Sequence, residues 1–286
     1  MSKSPVTPRP RHKGAPGRLP GFGLSLGLTL CYLSLIVLLP LAALVVKSAG
    51  LTFPELWAKV ASPRALAAYR LSVLASLAGA AVNVVFGLLL AWVLERYRFP
   101  GRRLVDGLVD LPFALPTAVA GIALTALWVK DGWLGRWSTA LGLDVAYTPL
   151  GVAVALTFIG LPFVVRTVQP VLAALEPEVE EAAASLGAGP VGTFFRVILP
   201  ELLPALAIGF ALAFARGLGE YGSVIFIAGN LPGRSEITPL LVMIQLEQYD
   251  YGAAAAIASV FLAMSLLALA ATQLLAARAG RHLATA

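Results

Sequence analysis

Residues 71–94 read LSVLASLAGAAVNVVFGLLLAWVL and contain no Asp, Glu, Lys or Arg. A helix needs roughly 20 apolar residues to cross the hydrocarbon core of a bilayer. Because that core offers no water to unpaired backbone groups, a single run of this kind can cross it only as a helix. The stretch therefore predicts a transmembrane α-helix and sets the class of the whole fold.

Further runs with little or no charge stand on both sides of this one. Hydrophobic residues make up 59% of the 286 positions and charged residues only 13%, whereas soluble domains carry about 25% charged residues. The sequence therefore predicts an all-α membrane protein whose transmembrane domain covers residues 21–278. We expect six transmembrane helices, near residues 22–46, 71–94, 106–129, 147–170, 203–228 and 252–277.

The lysines and arginines are unevenly divided between the loops. Six spans place both chain ends on one side, and of the 21 basic residues that side holds 13 against 7, with Arg216 inside a span. The positive-inside rule therefore predicts that both termini are cytoplasmic. Residues 1–20, rich in Pro and Arg, are expected to be a disordered cytoplasmic tail, and residues 279–286 a short cytoplasmic tail.

Side chains suited to catalysis are scarce in the predicted spans. The two histidines, His12 and His282, stand in the tails, and Cys31 is the single cysteine. Neither a metal cluster nor a nucleophile–base pair can therefore be assembled in the spans. No lysine completes the Gly-x4-Gly-Lys-Ser/Thr pattern of a phosphate-binding loop. We expect a chain that is not an enzyme and has no cofactor of its own, and no basic patch predicts nucleic-acid binding.

A polar segment between the fourth and fifth spans has its own layout. Residues 178–200 read EVEEAAASLGAGPVGTFFRVILP. Early carboxylates and the alanines behind them favour a helix over 176–186. Gly187 and Gly189 end that helix, and Pro190 can open the next one. The spacing predicts a short helix–turn–helix beneath the membrane.

This segment resembles the EAA loop of bacterial ABC-importer permeases, E-A-A-x3-G-x9-I-x-L-P. Val197 stands at the Ile position, which is a conservative change. An ordinary amphipathic loop helix is the alternative interpretation, but six matches at fixed spacing favour the family. The resemblance implies a type I ABC-importer permease fold whose coupling loop, 174–203, docks on separate ATPase subunits that carry the ATP and Mg²⁺. The matching residues are Glu181, Ala182, Ala183, Gly187, Leu199 and Pro200.

A second resemblance bears on the substrate. Residues 219–260, which begin GEYGSVIFIAGNLPG, and residues 109–124, VDLPFALPTAVAGIAL, are similar to the T-type permease subunit of bacterial sulfate/thiosulfate importers. This resemblance implies an inner-membrane chain that forms half of a translocation path for sulfate or thiosulfate. It also implies two ABC ATPase subunits, a W-type permease subunit in a heterodimer, and a periplasmic sulfate/thiosulfate-binding protein. A permease for another oxyanion, such as molybdate, is the nearest alternative.

Ionisable residues and prolines interrupt two of the spans. Arg216 and Glu220 are four apart in the fifth span and can pair on one helical face. Either they line the anion path with Pro116 of the third span, or they form a self-satisfied pair that fixes the helix. Glu220 could alternatively couple protons in a secondary transporter, a class that needs no coupling loop.

The third and fifth spans carry further signals for local structure. Pro112 and Pro116 should break or kink the third span, either as part of a pore lining or as a packing feature. Asp106 and Asp110, near its cytoplasmic start, are expected to form a solvated network with the neighbouring arginines at 102 and 103. The glycines at 217, 219 and 222 are expected to allow a bend or close packing around the ion pair.

Overall fold

The computed structural model describes residues 21–284, and side chains as far as residue 274. The regular elements in this part of the chain are helices, as the sequence predicts. Residues 21–44 form a small compact unit and residues 45–284 a larger one. The tail predicted over 1–20 lies outside the described residues. The last helix runs to Ala284, so the tail predicted from 279 is helical that far.

Five helical stretches are long and apolar enough to cross a membrane. They are Phe22–Ser48, Pro63–Arg96, Pro149–Ala174, Pro190–Leu218 and Tyr251–Leu274. They fall on the first, second, fourth, fifth and sixth predicted spans. The remaining predicted span, 106–129, is built from shorter helices.

Helix α1 (Phe22–Leu33) continues through a π turn, Ser34–Leu38, into α2 (Leu39–Ser48), and the small unit ends within α2. The N–H of Leu39 donates to the carbonyl of Ser34, five residues back. Pro40 follows directly, and a proline cannot donate and crowds the carbonyl four residues before it. The widened turn accommodates that proline without breaking the helix.

The larger unit is built from thirteen helices, eight of which carry proline at one of their first two positions, where the missing N–H costs no hydrogen bond. In chain order these are α3 (Phe53–Val60), α4 (Pro63–Arg96), α5 (Arg102–Val109), α6 (Leu111–Ala114), α7 (Thr117–Trp128), α8 (Gly135–Ala140), α9 (Pro149–Ala174), α10 (Pro177–Ser185), α11 (Pro190–Thr193), α12 (Leu199–Leu218), α13 (Val224–Ile227), α14 (Thr238–Glu247) and α15 (Tyr251–Ala284). A second π turn, Phe194–Ile198, joins α11 to α12, and Pro200 again stands two residues after it.

Helices α4, α9 and α12 pack together as the core of the larger unit. A Cβ atom at Gly79 would lie 3.1 Å from the backbone nitrogen of Thr157, and one at Gly87 would lie 2.9 Å from Cγ1 of Val164. Glycine at these two positions lets α4 approach α9 more closely than any side chain would allow. Phe214 of α12 is fully buried in the same apolar cluster.

The third predicted span is broken at its prolines, as the sequence predicts. Helix α6 ends at Ala114, Leu115 is extended (φ −80°, ψ 135°), and Pro116 caps α7. The residue before a proline is pushed out of the helical region because the ring crowds its backbone. Pro112 lies in the first turn of α6, where it is tolerated.

The fifth predicted span, 203–228, is also divided. Helix α12 ends at Leu218 with Gly219 as its cap, and α13 starts only at Val224. Glu220 therefore lies beyond the last turn of α12, whereas a continuous helical face was predicted. Gly222 is needed in the turn between α12 and α13 because a Cβ atom there would lie 2.1 Å from Oγ1 of Thr117.

Candidate functional site

The 174–203 loop contains the predicted helix–turn–helix. At the end of α10 the N–H of Gly187 donates to the carbonyl of Ala184 (2.9 Å), and the N–H of Ala188 donates to that of Ala183 (3.0 Å). This pair of bonds is a Schellman motif, which requires a left-handed residue. Gly187 has a φ of +85° and supplies it. Helix α11 then opens at Pro190, as predicted.

The same loop carries an exposed apolar surface. Leu186 is 90% exposed, Val191 70% and Phe195 60%. Apolar side chains exposed on a polar loop are available for contact with another surface. Of the residues that match the EAA pattern, Glu181, Ala182 and Gly187 are exposed, and Ala183, Leu199 and Pro200 are half-buried.

Two contacts join this loop to the end of α4. Nη2 of Arg96 lies 2.5 Å from Oε1 of Glu180. The Arg96 guanidinium also stands over the ring of Trp92, 5.2 Å from its centroid. The Trp92 ring in turn meets Phe194 edge-on, with 5.4 Å between ring centroids. The loop is therefore fixed to a core helix by both an ion pair and an aromatic contact.

A polar cluster lies at the same end of the core. Arg166 of α9 donates to both carboxylate oxygens of Asp110 (2.9 and 2.6 Å) and to Oδ1 of Asp106 (2.6 Å). It also donates to Gln169, whose amide reaches Glu95 of α4 at 3.1 Å. The two aspartates lie in a partly exposed polar network, as the sequence analysis expected, but the arginine they bond is Arg166 of α9 and not Arg102 or Arg103. The cluster ties α5 and α6 to both α9 and α4.

Arg216 and Glu220 form the predicted ion pair, with 2.6 Å between Nη1 and Oε2. The Glu220 side chain is only 2% exposed, whereas that of Arg216 is 35% exposed. The other carboxylate oxygen of Glu220 accepts from the N–H of Ser223 (2.9 Å) and from its hydroxyl (3.0 Å). The carboxylate is thus fully partnered, and it orders the turn between α12 and α13.

The start of α7 packs against this turn. A Cβ atom at Gly222 would lie 2.1 Å from Oγ1 of Thr117, and one at Gly121 would lie 2.4 Å from the carbonyl oxygen of Ser223. Pro116, the exposed cap of α7, directly precedes Thr117, which lies against the turn that Glu220 orders. The structure brings the break in the third span beside the break in the fifth.

Ion pairs that the sequence analysis missed lie at the other end of α4. Arg64 donates to both carboxylate oxygens of Glu236 (2.7 and 2.6 Å), and Glu236 is almost fully buried. Lys59 pairs with Asp250, and this pairing, with the N–H of Ala253, holds the pKa of the Asp250 carboxyl below its ordinary value. The partners in each pair are more than 170 residues apart in sequence, so no local sequence pattern predicts that they meet.

Comparison with known proteins places this arrangement in a family. Residues 83–281 match the family described as the binding-protein-dependent transport system inner membrane component. The chain is 53% identical over 264 residues to the sulfate transport system permease protein CysT of Escherichia coli, covering 92% of this chain and 95% of that one. It is 51% identical to the protein of the same name from Synechocystis, covering 84% of each chain.

Solved structures share the fold at low sequence identity. A bacterial ABC transporter that imports the acidic polysaccharide alginate matches 90% of this chain and 96% of its own, with a TM-score of 0.70 and 16% identity. The MetNI methionine ABC transporter matches 82% of this chain, with a TM-score of 0.54 and 18% identity. On its sequence match and its helical architecture, the chain belongs to the inner membrane component family of binding-protein-dependent transport systems.

Proposed function

We propose that the chain is the membrane-spanning subunit of an ATP-driven importer and forms half of a translocation path for sulfate or thiosulfate. The observation that carries the proposal is its 53% identity, over 92% of its length, to a sulfate transport permease. An ABC-importer permease fold supports the transporter class independently of the substrate. Family membership also agrees with a multi-pass location in the inner membrane.

The 174–203 loop is the proposed contact with a separate ATPase, which would bind the ATP and Mg²⁺. Its exposed residues Leu186, Val191 and Phe195 offer an apolar surface, and Glu181 is exposed beside them. Docking there would place the loop and both chain termini in the cytoplasm. The complex would hold two ATPase subunits, a W-type permease partner and a periplasmic sulfate/thiosulfate-binding protein.

The proposed path runs past the turn that Glu220 orders and the break at Pro116. Arg216 is the exposed member of the ion pair, so its remaining guanidinium N–H groups can meet a passing dianion. The buried Glu220 carboxylate limits how strongly Arg216 attracts the anion, because its negative charge offsets the positive charge of the guanidinium. The geometry does not favour proton coupling by Glu220, since both of its oxygens are occupied by Arg216 and Ser223.

Purification with native partners, followed by reconstitution, tests the proposal. An ATPase subunit and a second permease subunit should co-purify with the tagged chain in a mild detergent. Proteoliposomes containing that complex and the binding protein should take up radiolabelled sulfate only when ATP is present. Uptake driven by a proton gradient without ATP would overturn the transporter class. Uptake of molybdate in place of sulfate would overturn the assignment of sulfate as the substrate.

A further inference from the structure

A cavity of about 530 Å³ lies between α4, α9 and the 229–237 segment, with two arginines in its lining, Arg70 and Arg234. Neither has a carboxylate within ion-pair distance among the described side chains. A second cavity of the same volume, between α12, α14 and α15, has no charged residue in its lining. The first cavity is open to the surface and therefore presents positive charge that no neighbouring carboxylate in the described part of the chain neutralises.

The backbone that carries Arg234 is anchored from both sides. Its N–H donates to the carbonyl of Leu231 (3.0 Å), and the hydroxyl of the next residue, Ser235, accepts from the N–H of Leu231 (3.0 Å). Ser235 is 1% exposed, and Glu236 after it is held by Arg64. Arg234 is thus an exposed side chain on a fixed turn, presented toward α4.

The walls beneath the two arginines are apolar. Leu74 and Ala78 of α4 face Leu150 and Ala153 of α9 across the cavity. Leu74 is 51% exposed and Leu150 42% exposed, so the groove is open along its length. Its lining contains no hydroxyl, amide or carboxylate side chain. A small hydrated anion would find few partners in such a groove, whereas a ligand with an anionic head and a hydrocarbon tail would match both parts.

The position of Arg70 along α4 indicates the level at which the cavity lies in the bilayer. Arg70 stands directly before the uncharged run 71–94, which is roughly 36 Å long as a helix. The hydrocarbon core of a bilayer is about 30 Å thick. Arg70 therefore lies at the level of the lipid headgroups, and the apolar walls below it lie at the level of the acyl chains.

We propose that this cavity binds an anionic phospholipid, with its phosphate between Arg70 and Arg234 and an acyl chain along Leu74 and Ala153. Two guanidinium groups suit the tetrahedral phosphodiester, because each can present parallel N–H donors to its oxygens. A zwitterionic headgroup fits less well, since the lining has no carboxylate to meet an ammonium group. The site is separate from the Arg216–Glu220 pair.

Native mass spectrometry of the complete chain with its partners tests the site. Samples are prepared with phosphatidylglycerol, with diacylglycerol, which lacks the phosphate, or with sodium sulfate in detergent. We expect the native protein to retain phosphatidylglycerol and to release diacylglycerol. Replacing both Arg70 and Arg234 with Gln should weaken retention by roughly 25-fold, at about fivefold per arginine near a membrane surface.

Matched variants separate charge from fold. Arg136→Gln removes another exposed arginine, one that does not line the cavity, and this variant should retain the lipid as the native protein does. Arg70→Lys with Arg234→Lys keeps the charges and should retain most of the lipid. Equal retention by the double Gln variant would overturn the proposal. Binding of sulfate, and not phosphatidylglycerol, to the arginine pair would also overturn it, because the cavity would then be a free-anion site.

Discussion

Arg96 and Glu180 connect the last turn of α4 to α10 through a contact of 2.5 Å between Nη2 and Oε1. Their side chains are 24% and 33% exposed, so water only partly screens the pair. Glu180 faces the core while the next residue, Glu181, is exposed. If the proposed function holds, movement of α10 would reach the core through this contact.

Exchanging the two charges tests that transmission. Arg96→Glu places two carboxylates together and should reduce sulfate transport per ATP hydrolysed by more than half in the reconstituted complex. Adding Glu180→Arg restores opposite charges and should recover most of the coupling. A double variant no better than the single one would show that the pair does not transmit the movement.

Gly187 and Gly189 offer a matched pair of glycine substitutions. A Cβ atom at either position meets nothing within 4 Å, but only Gly187 has a positive φ, of +85°. Gly187→Ala should therefore strain the Schellman motif by about 1 kcal/mol and lower the coupling ratio, while Gly189→Ala leaves both unchanged. ATPase and transport assays on the same preparations measure the ratio. Equal effects of the two substitutions would contradict the role of the left-handed turn.

The close approach of α7 to the Ser223 turn predicts a stability effect. Alanine at Gly121 would place Cβ 2.4 Å from the Ser223 carbonyl oxygen, whereas alanine at Gly219 would meet nothing within 4 Å. Overpacking of this kind costs about 1–3 kcal/mol. Gly121→Ala should lower the thermal midpoint of the detergent-solubilised protein, and Gly219→Ala should not. Similar midpoints for the two variants would mean that α7 can shift away freely.

Substitutions at the Arg216–Glu220 pair separate its two proposed roles. Arg216→Gln leaves the buried Glu220 carboxylate without its cation and should destabilise the protein by up to about 3 kcal/mol. Adding Glu220→Gln removes the unpaired charge and should restore much of the stability. Sulfate uptake by the double variant then decides the role. Normal uptake would assign the pair to structure alone, and a loss of uptake despite restored folding supports its place on the path.

The Lys59–Asp250 pair predicts a pH dependence. Pairing with Lys59 lowers the pKa of Asp250 from its ordinary value of 3.8. Its stabilisation is therefore complete above pH 3.8 and is lost as the pH falls through the lower folded pKa. The contribution is below about 1 kcal/mol, because both side chains are partly exposed.

Asp250→Asn should thus lower the thermal midpoint at pH 7 by a few degrees at most, and the difference from the native protein should shrink below pH 3.8. Asparagine can still accept the N–H of Ala253, so the substitution isolates the ion pair from the helix cap. Asp131→Asn, which removes an exposed carboxylate with no described ion-pair partner, is the control. A difference that persists unchanged into acid would exclude the pair as its source.

Local sequence signals predicted the elements well, because each one acts within a few residues. Uncharged runs gave the long helices, Pro116 gave the break before α7, and Gly187 gave the end of α10. The spacing of Arg216 and Glu220 predicted their pairing, although it did not predict that α12 ends between them. These features depend on the spacing of apolar residues, on the positions of charges and on the backbone angles that proline and glycine allow, all of which can be read from the sequence.

Partners distant in sequence were not predictable on the same grounds. Asp106 has arginines three and four residues before it, yet it pairs with Arg166, sixty positions away. Arg64 finds Glu236 only because α4 and the segment before α14 meet in the folded chain. Such choices depend on how the helices pack, which no local pattern encodes.

The different directions of the Glu180 and Glu181 side chains make the loop sensitive to the length of α10. Each residue of an α-helix turns the next by about 100°. Deleting or inserting a single residue in α10 would swing Glu180 away from Arg96 and present a different face outward. The Arg96–Glu180 contact therefore depends on the number of residues in α10 before and after Glu180. For this contact, the length of α10 matters more than the identity of the exposed residues along it.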